Sequence, residues 1–241
     1  MRDRASTALG TNGLLCMAFL LLAACRADND PASLFPPAGR DVAPIVSDSF
    51  STEDARDRVG EFEAVVAAAG LKPGMQVADI GAGEGYYTVR LAPLVGPKGR
   101  VLAQDIVPEV RDRLAQRVQR ERLDNVAISL GLPADPRLPP ASFDRIFLVH
   151  MIHEVTDPYA FLWHLVTGLK PGGEVIVVDA DRPVKRHGIP PAQLKCELEA
   201  LGLRLDRFQR LPGGDSYFAA FRAAGPRPEP SAIKPCRTRE P

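Results

Sequence analysis

The stretch Met75–Leu94, MQVADIGAGEGYYTVRLAPL, constrains the fold more than any other part of the sequence. A short apolar run, Met75–Ile80, ends at Gly81; Gly83 and Gly85 follow at alternate positions, and Glu84–Leu94 reads as a helix. A buried strand, a tight glycine turn and a helix in immediate succession open a βαβ unit. The alternation continues downstream. Strands are predicted at Arg100–Asp105, Asn125–Leu130, Phe143–Val149 and Glu174–Asp179. Helices are predicted at Pro108–Arg120, after Thr156-Asp157-Pro158, and at Pro190–Leu201. A further helix opens at Ser51, with an acid three residues on, and runs to Ala69 before Gly70. Strands separated by helices imply a parallel sheet. Arg204–Arg210 and Ser216–Arg222 alternate around Pro212-Gly213-Gly214-Asp215, a hairpin that adds an antiparallel edge. One α/β domain is expected over 51–223, and residues 224–241, rich in proline, are expected to be disordered.

Composition narrows the function classes. Lys+Arg and Asp+Glu both total 30 in 241 residues, which argues against an obligate nucleic-acid binder. The 45% hydrophobic content suits a packed globular core. No apolar run reaches 18 residues, so no conventional membrane-spanning helix is expected.

The amino terminus reads as an address. Arg2 and Arg4 precede the apolar run Gly13–Ala24, too short to span a bilayer but suited to a secretory signal. The run ends in Leu22-Ala23-Ala24-Cys25, which resembles a bacterial lipobox. The resemblance implies cleavage after residue 24 and an acyl anchor on Cys25, so a lipoprotein in the bacterial cell envelope facing the periplasm. Arg26 replaces the Asp that often marks inner-membrane retention, which favours the outer membrane. An ordinary signal peptide with an incidental cysteine is the alternative. Losing Arg2, Arg4 and Asp3 would leave 28 basic and 29 acidic residues, net −1. Residues 25–50 are expected to be a flexible tether. Cys196 and Cys236 then remain; they either pair in an oxidising compartment or stay as a buried thiol and a free one.

The glycine loop carries the ligand chemistry. A dinucleotide fingerprint has glycine at its sixth position, where this chain has Tyr86. Asp79 and Glu84 put carboxylates beside the loop, which disfavours a pyrophosphate and suits a cationic or amino-bearing ligand. Asp105, twenty residues after Gly85, ends the second strand, where an acid accepts ribose hydroxyls. VADIGAGEGYYTVRLA then resembles motif I of the class I S-adenosylmethionine-dependent methyltransferases. ASFDRIFLVHMIHEVTDP and LKPGGEVIVVD resemble the fourth-strand and fifth-strand segments of that family. The resemblance covers about 55–223. It implies a Rossmann-like doubly wound seven-stranded sheet of order 3-2-1-4-5-7-6, the last strand antiparallel, with helices on both faces. It also implies S-adenosylmethionine as cofactor, held by Asp79, Gly81, Gly83, Gly85 and Asp105. After strand three the family often carries an acid that meets the adenine amine. Leu132 stands there, and Asp135 is the nearest acid. The alternatives are a nicotinamide enzyme and a non-catalytic ligand-binding envelope lipoprotein on the same scaffold.

In open α/β sheets ligands bind beyond the carboxyl ends of the strands. His150, His153 and Glu154 follow strand four; Asp179, Asp181 and His187 lie at or beyond the end of strand five. His150 or His153 is the candidate general base, with a structural histidine as the alternative. The order His-x-x-His-Glu matches no known zinc-helix motif, so no metal is expected. His164 is expected to be structural. Tyr86 and Tyr87 either wall the pocket or pack the helix on the sheet. The Asn/Asp-Pro-Pro-Tyr/Phe motif of amino-methylating enzymes is absent, and no added substrate domain is visible. A small-molecule or lipid-like acceptor is therefore expected.

Overall fold

The computed structural model describes residues 34–45 and 52–236. The apolar run Gly13–Ala24, Cys25 and Ser51 lie outside the described residues. The elements are α1 (Glu53–Val59), α2 (Glu61–Ala69), β1 (Gln76–Ile80), α3 (Tyr86–Val95), β2 (Arg100–Asp105), α4 (Pro108–Arg120), β3 (Val126–Leu130), β4 (Phe143–Val149), α5 (Pro158–Leu165), β5 (Leu169–Ala180), α6 (Pro191–Glu199), β6 (Leu203–Arg210) and β7 (Ser216–Ala223). The strands form one sheet of order β3-β2-β1-β4-β5-β7-β6. β7 runs antiparallel to both of its neighbours, and the other pairings are parallel.

Both sheet faces are covered, which is why the strand sequences are apolar without a polar face. The pleat sends alternate side chains to opposite sides. Ala78, Ile80, Ile146, Leu148, Val175 and Val177 pack toward α5 and α6. Val77, Phe147, Ile176 and Val178 pack toward α2 and α3. Glu174, where β5 becomes continuous with β4, is buried and bound by Arg145, Arg207 and Arg222. Burying that carboxylate demands such pairing; the ion pairs join β4, β5 and the hairpin. Residues 170–173, the Lys-Pro-Gly-Gly stretch, bulge out between two registers of β5 on β4.

Local details differ from the sequence reading in three places. The first helix is broken: Gly60 adopts a left-handed conformation at φ 69°, ending α1 and starting α2. Thr52 caps α1, its hydroxyl oxygen accepting from Ala55 N. The expected tether is packed over residues 34–45. Phe35 meets Trp163 edge-to-face, and Arg40 is buried against Glu197 of α6 at 2.7 Å. Arg40 also donates to the Ile152 carbonyl, and Ala43 N donates to the His153 carbonyl.

The expected disordered tail is likewise packed over residues 224–236. The Trp163 indole donates to the Pro228 carbonyl, and Arg227 stacks on the Trp163 ring. Ile233 and Cys236 are buried. Cys196 and Cys236 form a disulfide across 40 residues. The sequence could not show this, because the tail's anchors (Tyr159, Trp163, Cys196) are distant in the chain. Closing a loop of this length contributes about 4 kcal/mol on the chain-entropy account. Cys236→Ser should therefore lower the thermal midpoint by several degrees, and adding reductant should lower wild type but not the variant. Calorimetric scans with and without reductant check this.

Candidate active site

The loop after β1 is shaped by backbone demands. Gly81, Gly83 and Gly85 have φ of 65°, 57° and 89°, a region that side chains disfavour. A Cβ at Gly85 would lie 2.4 Å from Leu114 of α4, and one at Gly81 would lie 3.0 Å from Met151. The glycines thus let the turn form and pack closely on α4 and Met151, with only the Ala82 and Glu84 side chains in the loop. Asp105 at the end of β2 fixes it: one carboxylate oxygen accepts from Gly83 N at 3.0 Å and the other from Val107 N at 2.9 Å. Each oxygen keeps acceptor capacity beyond those bonds.

Asp79 is fully enclosed at the end of β1 and accepts from the Thr88 hydroxyl at 2.6 Å. Burial pushes its carboxyl up to about 6, against the opposing pull of Thr88 and Arg56. Glu84 does not join it. It points to Arg113 on the surface, so the sequence reading of two carboxylates at the loop is corrected to one. Asp135 sits in a tight turn closed by reciprocal Leu132–Asp135 backbone bonds, with one oxygen accepting from Arg137 N. Leu132 is solvent-exposed beside it.

Two histidine–carboxylate pairs stand past β4. His150 adopts a left-handed backbone at φ 52°, anchored by its N–H on the Val178 carbonyl. Such strain in a non-glycine residue is characteristic of functional sites. Its Nε2 lies 3.0 Å from Glu61 at the start of α2. Glu61 also accepts from Arg56 and the Tyr87 hydroxyl. Burial would raise the Glu61 carboxyl, but the bond and charge of His150, then Arg56, bring it down to about 2. Tyr86 and Tyr87 take the packing role: with Phe62 they form an edge-to-face cluster that seats α1 and α2 on α3.

The second pair is His153 with Asp179, its Nδ1 lying 2.9 and 3.0 Å from the two carboxylate oxygens. The His150 side chain is 29% exposed and that of His153 only 3%. An acceptor can therefore reach the first and not the second. His187 packs edge-to-face on His153, with Nδ1 3.9 Å from Glu154. Burial and the neighbouring His153 charge hold its imidazole below the usual range. Asp181 pairs with Arg210 away from this group. His164 bonds the Ala134 and Ala160 carbonyls, a structural role.

Glu61 is the site residue that the sequence reading missed. It lies 89 positions from His150, inside what the sequence presents as one continuous helix from Ser51 to Ala69, where no signal set it apart.

Comparison with known proteins places this geometry in a family. Residues 78–177 match the family model of a methyltransferase domain. The chain is 31% identical over 107 residues to a protein-L-isoaspartate O-methyltransferase of Methanothrix thermoacetophila, covering 44% of this chain and 48% of that one. It is 30% identical over 126 residues to a ubiquinone/menaquinone biosynthesis C-methyltransferase of Pasteurella multocida, covering 49% and 45%. The chain thus spans about half the length of these curated relatives. A solved S-adenosylmethionine-dependent methyltransferase from Aquifex aeolicus superposes with TM-score 0.64 at 28% identity, over 69% of this chain and 91% of that one. Residues 78–177 thus match a methyltransferase domain, and the strand order is the one that the resemblance to class I S-adenosylmethionine-dependent methyltransferases implied. The cofactor implied by that family is S-adenosylmethionine. The residues present fit it: a loop with glycine at three alternate positions, an enclosed Asp79 for a cationic ligand, and Asp105 for ribose hydroxyls.

Asp79 makes stability depend on pH. The folded carboxyl titrates at about 6 against 3.8 unfolded, so the folded state holds the extra proton between those values. The Asp79 contribution to stability should then fall by about 2 kcal/mol as pH rises from 4 to 6. Asp79→Asn should remove that slope. Urea unfolding of both proteins at pH 4 to 7 measures it, and parallel profiles would contradict the assignment.

Proposed function

We propose that this chain is an envelope-anchored methyltransferase that moves a methyl group from S-adenosylmethionine to a small-molecule or lipid-like acceptor. The observation that carries the reading is the His150–Glu61 pair, in which a partly exposed His150 at the carboxyl end of β4 is backed by a buried Glu61 and adjoins Met151, which lies against Gly81. S-adenosylmethionine would supply an activated methyl on a sulfonium. Asp79, Gly81, Gly83, Gly85 and Asp105 would hold it. Glu61, kept ionised by Arg56, accepts a hydrogen bond from the Nε2–H of His150 and fixes that tautomer, leaving Nδ1 as base. An acceptor hydroxyl, thiol or amine gives its proton to Nδ1 as the methyl arrives. Glu61 then balances the imidazolium. His153 holds the turn after β4 instead of meeting the acceptor.

The lipobox-like Leu22–Cys25 stretch supports export and anchoring through Cys25, and the Cys196–Cys236 disulfide suits an oxidising compartment such as the periplasm. The anchor would hold the active site near membrane-borne acceptors. No helix among the described residues is long and apolar enough to cross a membrane.

Calorimetric titration of the protein with S-adenosylmethionine and its demethylated product is the test. Micromolar binding is expected, lost in Asp105→Ala and in Gly83→Arg. Turnover against envelope lipid extracts should fall roughly 10²–10⁴-fold in His150→Ala with cofactor affinity retained. No binding in a folded sample would overturn the enzyme reading. Binding without turnover on any envelope fraction would favour a non-catalytic ligand-binding lipoprotein.

A further inference from the structure

His153, Glu154 and His187 bring one potential ligand atom each to within 4.8 Å of one another. Two of them come from the 3₁₀ turn after β4 (Ile152–Glu154) and the third from the loop after β5, where His187 holds a left-handed backbone at φ 54°. We propose that these three side chains form a binding site for a borderline divalent cation such as Zn²⁺, separate from the glycine loop.

Four features support the site. First, the donor set of two imidazoles and one carboxylate is the set that three-ligand zinc sites use, leaving one position open for water or an incoming heteroatom. Second, Asp179 grips His153 Nδ1 through both oxygens. A carboxylate behind a ligating histidine fixes its tautomer and raises its basicity, and it leaves Nε2 as the metal ligand. Third, the charge balances: Glu154 and Asp179 together offset a divalent ion in a region closed to solvent around His153. Fourth, the turn is braced from outside, because its Ile152 and His153 carbonyls accept from Arg40 and the His153 carbonyl also accepts from Ala43 N. Donors about a tetrahedral ion lie roughly 3.3 Å apart given bonds of ~2.0–2.2 Å. His187 Nδ1 and Glu154 Oε1 are 3.9 Å apart, so small side-chain rotations bring the set to bonding distance.

Sequence order set the metal aside because His-x-x-His-Glu fits no helical zinc motif. The fold uses a different selection: His150 goes to Glu61, and His187, 34 residues beyond His153, takes the third place.

The test reads metal binding alone and does not depend on turnover. Untagged, detergent-solubilised full-length protein, oxidised and stripped with chelator, is titrated with Zn²⁺ against a chromophoric competitor. One equivalent per chain is expected, micromolar or tighter. His187→Ala and Glu154→Gln should each weaken it at least tenfold. Asp179→Asn, which touches no ion directly, should weaken it 10–100-fold. His164→Ala should bind as wild type does. Circular dichroism confirms that each variant is folded. Absence of saturable binding below about 100 µM in folded wild type overturns the site. So does stoichiometric binding that persists in both His187→Ala and Glu154→Gln, which would put the ion elsewhere.

Discussion

The site depends on one topological constraint, the reversal of winding between β1 and β4. The helix after β1 packs on one face of the sheet and the helix after β4 on the other. Their connecting loops must therefore part above the two adjacent strands, and the carboxyl ends beneath are left open. Everything chemically active gathers at that parting. Asp79 ends β1, Asp105 ends β2, His150 and His153 follow β4, and Asp179 closes β5. Parallel pairing is what lines these ends up; an antiparallel neighbour would send alternate ends to the far side of the sheet.

The polar groups at that opening divide by burial. Asp79 is sealed beneath the glycine loop, and the cost of ionising it there shows as a raised carboxyl. Glu61 is nearly as buried yet ionised, because His150 and Arg56 meet it directly. The same side-chain class is thus shifted in opposite directions within one site by whether a cation touches it. The two histidines divide in parallel fashion: one faces the opening and the other is held inside by a carboxylate.

How much of this was legible follows from how local each signal is. The parallel strands were readable because each is buried on both faces and so appears as a continuous apolar run. The glycine loop was readable because its backbone needs three glycines at fixed spacing. The hairpin announced itself through Pro212-Gly213-Gly214-Asp215. What stayed hidden was fixed by distant partners. Glu61 acquires its role from a histidine 89 residues on, and Arg40 from a glutamate 157 residues on. The break at Gly60 divides a pattern that is helical on both sides, so the period alone did not reveal it. The tail looked disordered because proline-rich composition says nothing about Trp163, Tyr159 and Cys196 waiting to receive it.

The segments at the two ends of the described chain are fastened to the same helix. Arg40 binds Glu197 of α6, and Cys236 is bonded to Cys196 one residue earlier. A pull on the amino-terminal segment is therefore carried sideways into α6 and across its covalent bridge before it reaches any strand. The load enters the sheet through α6, the helix packed on β6 at its antiparallel edge.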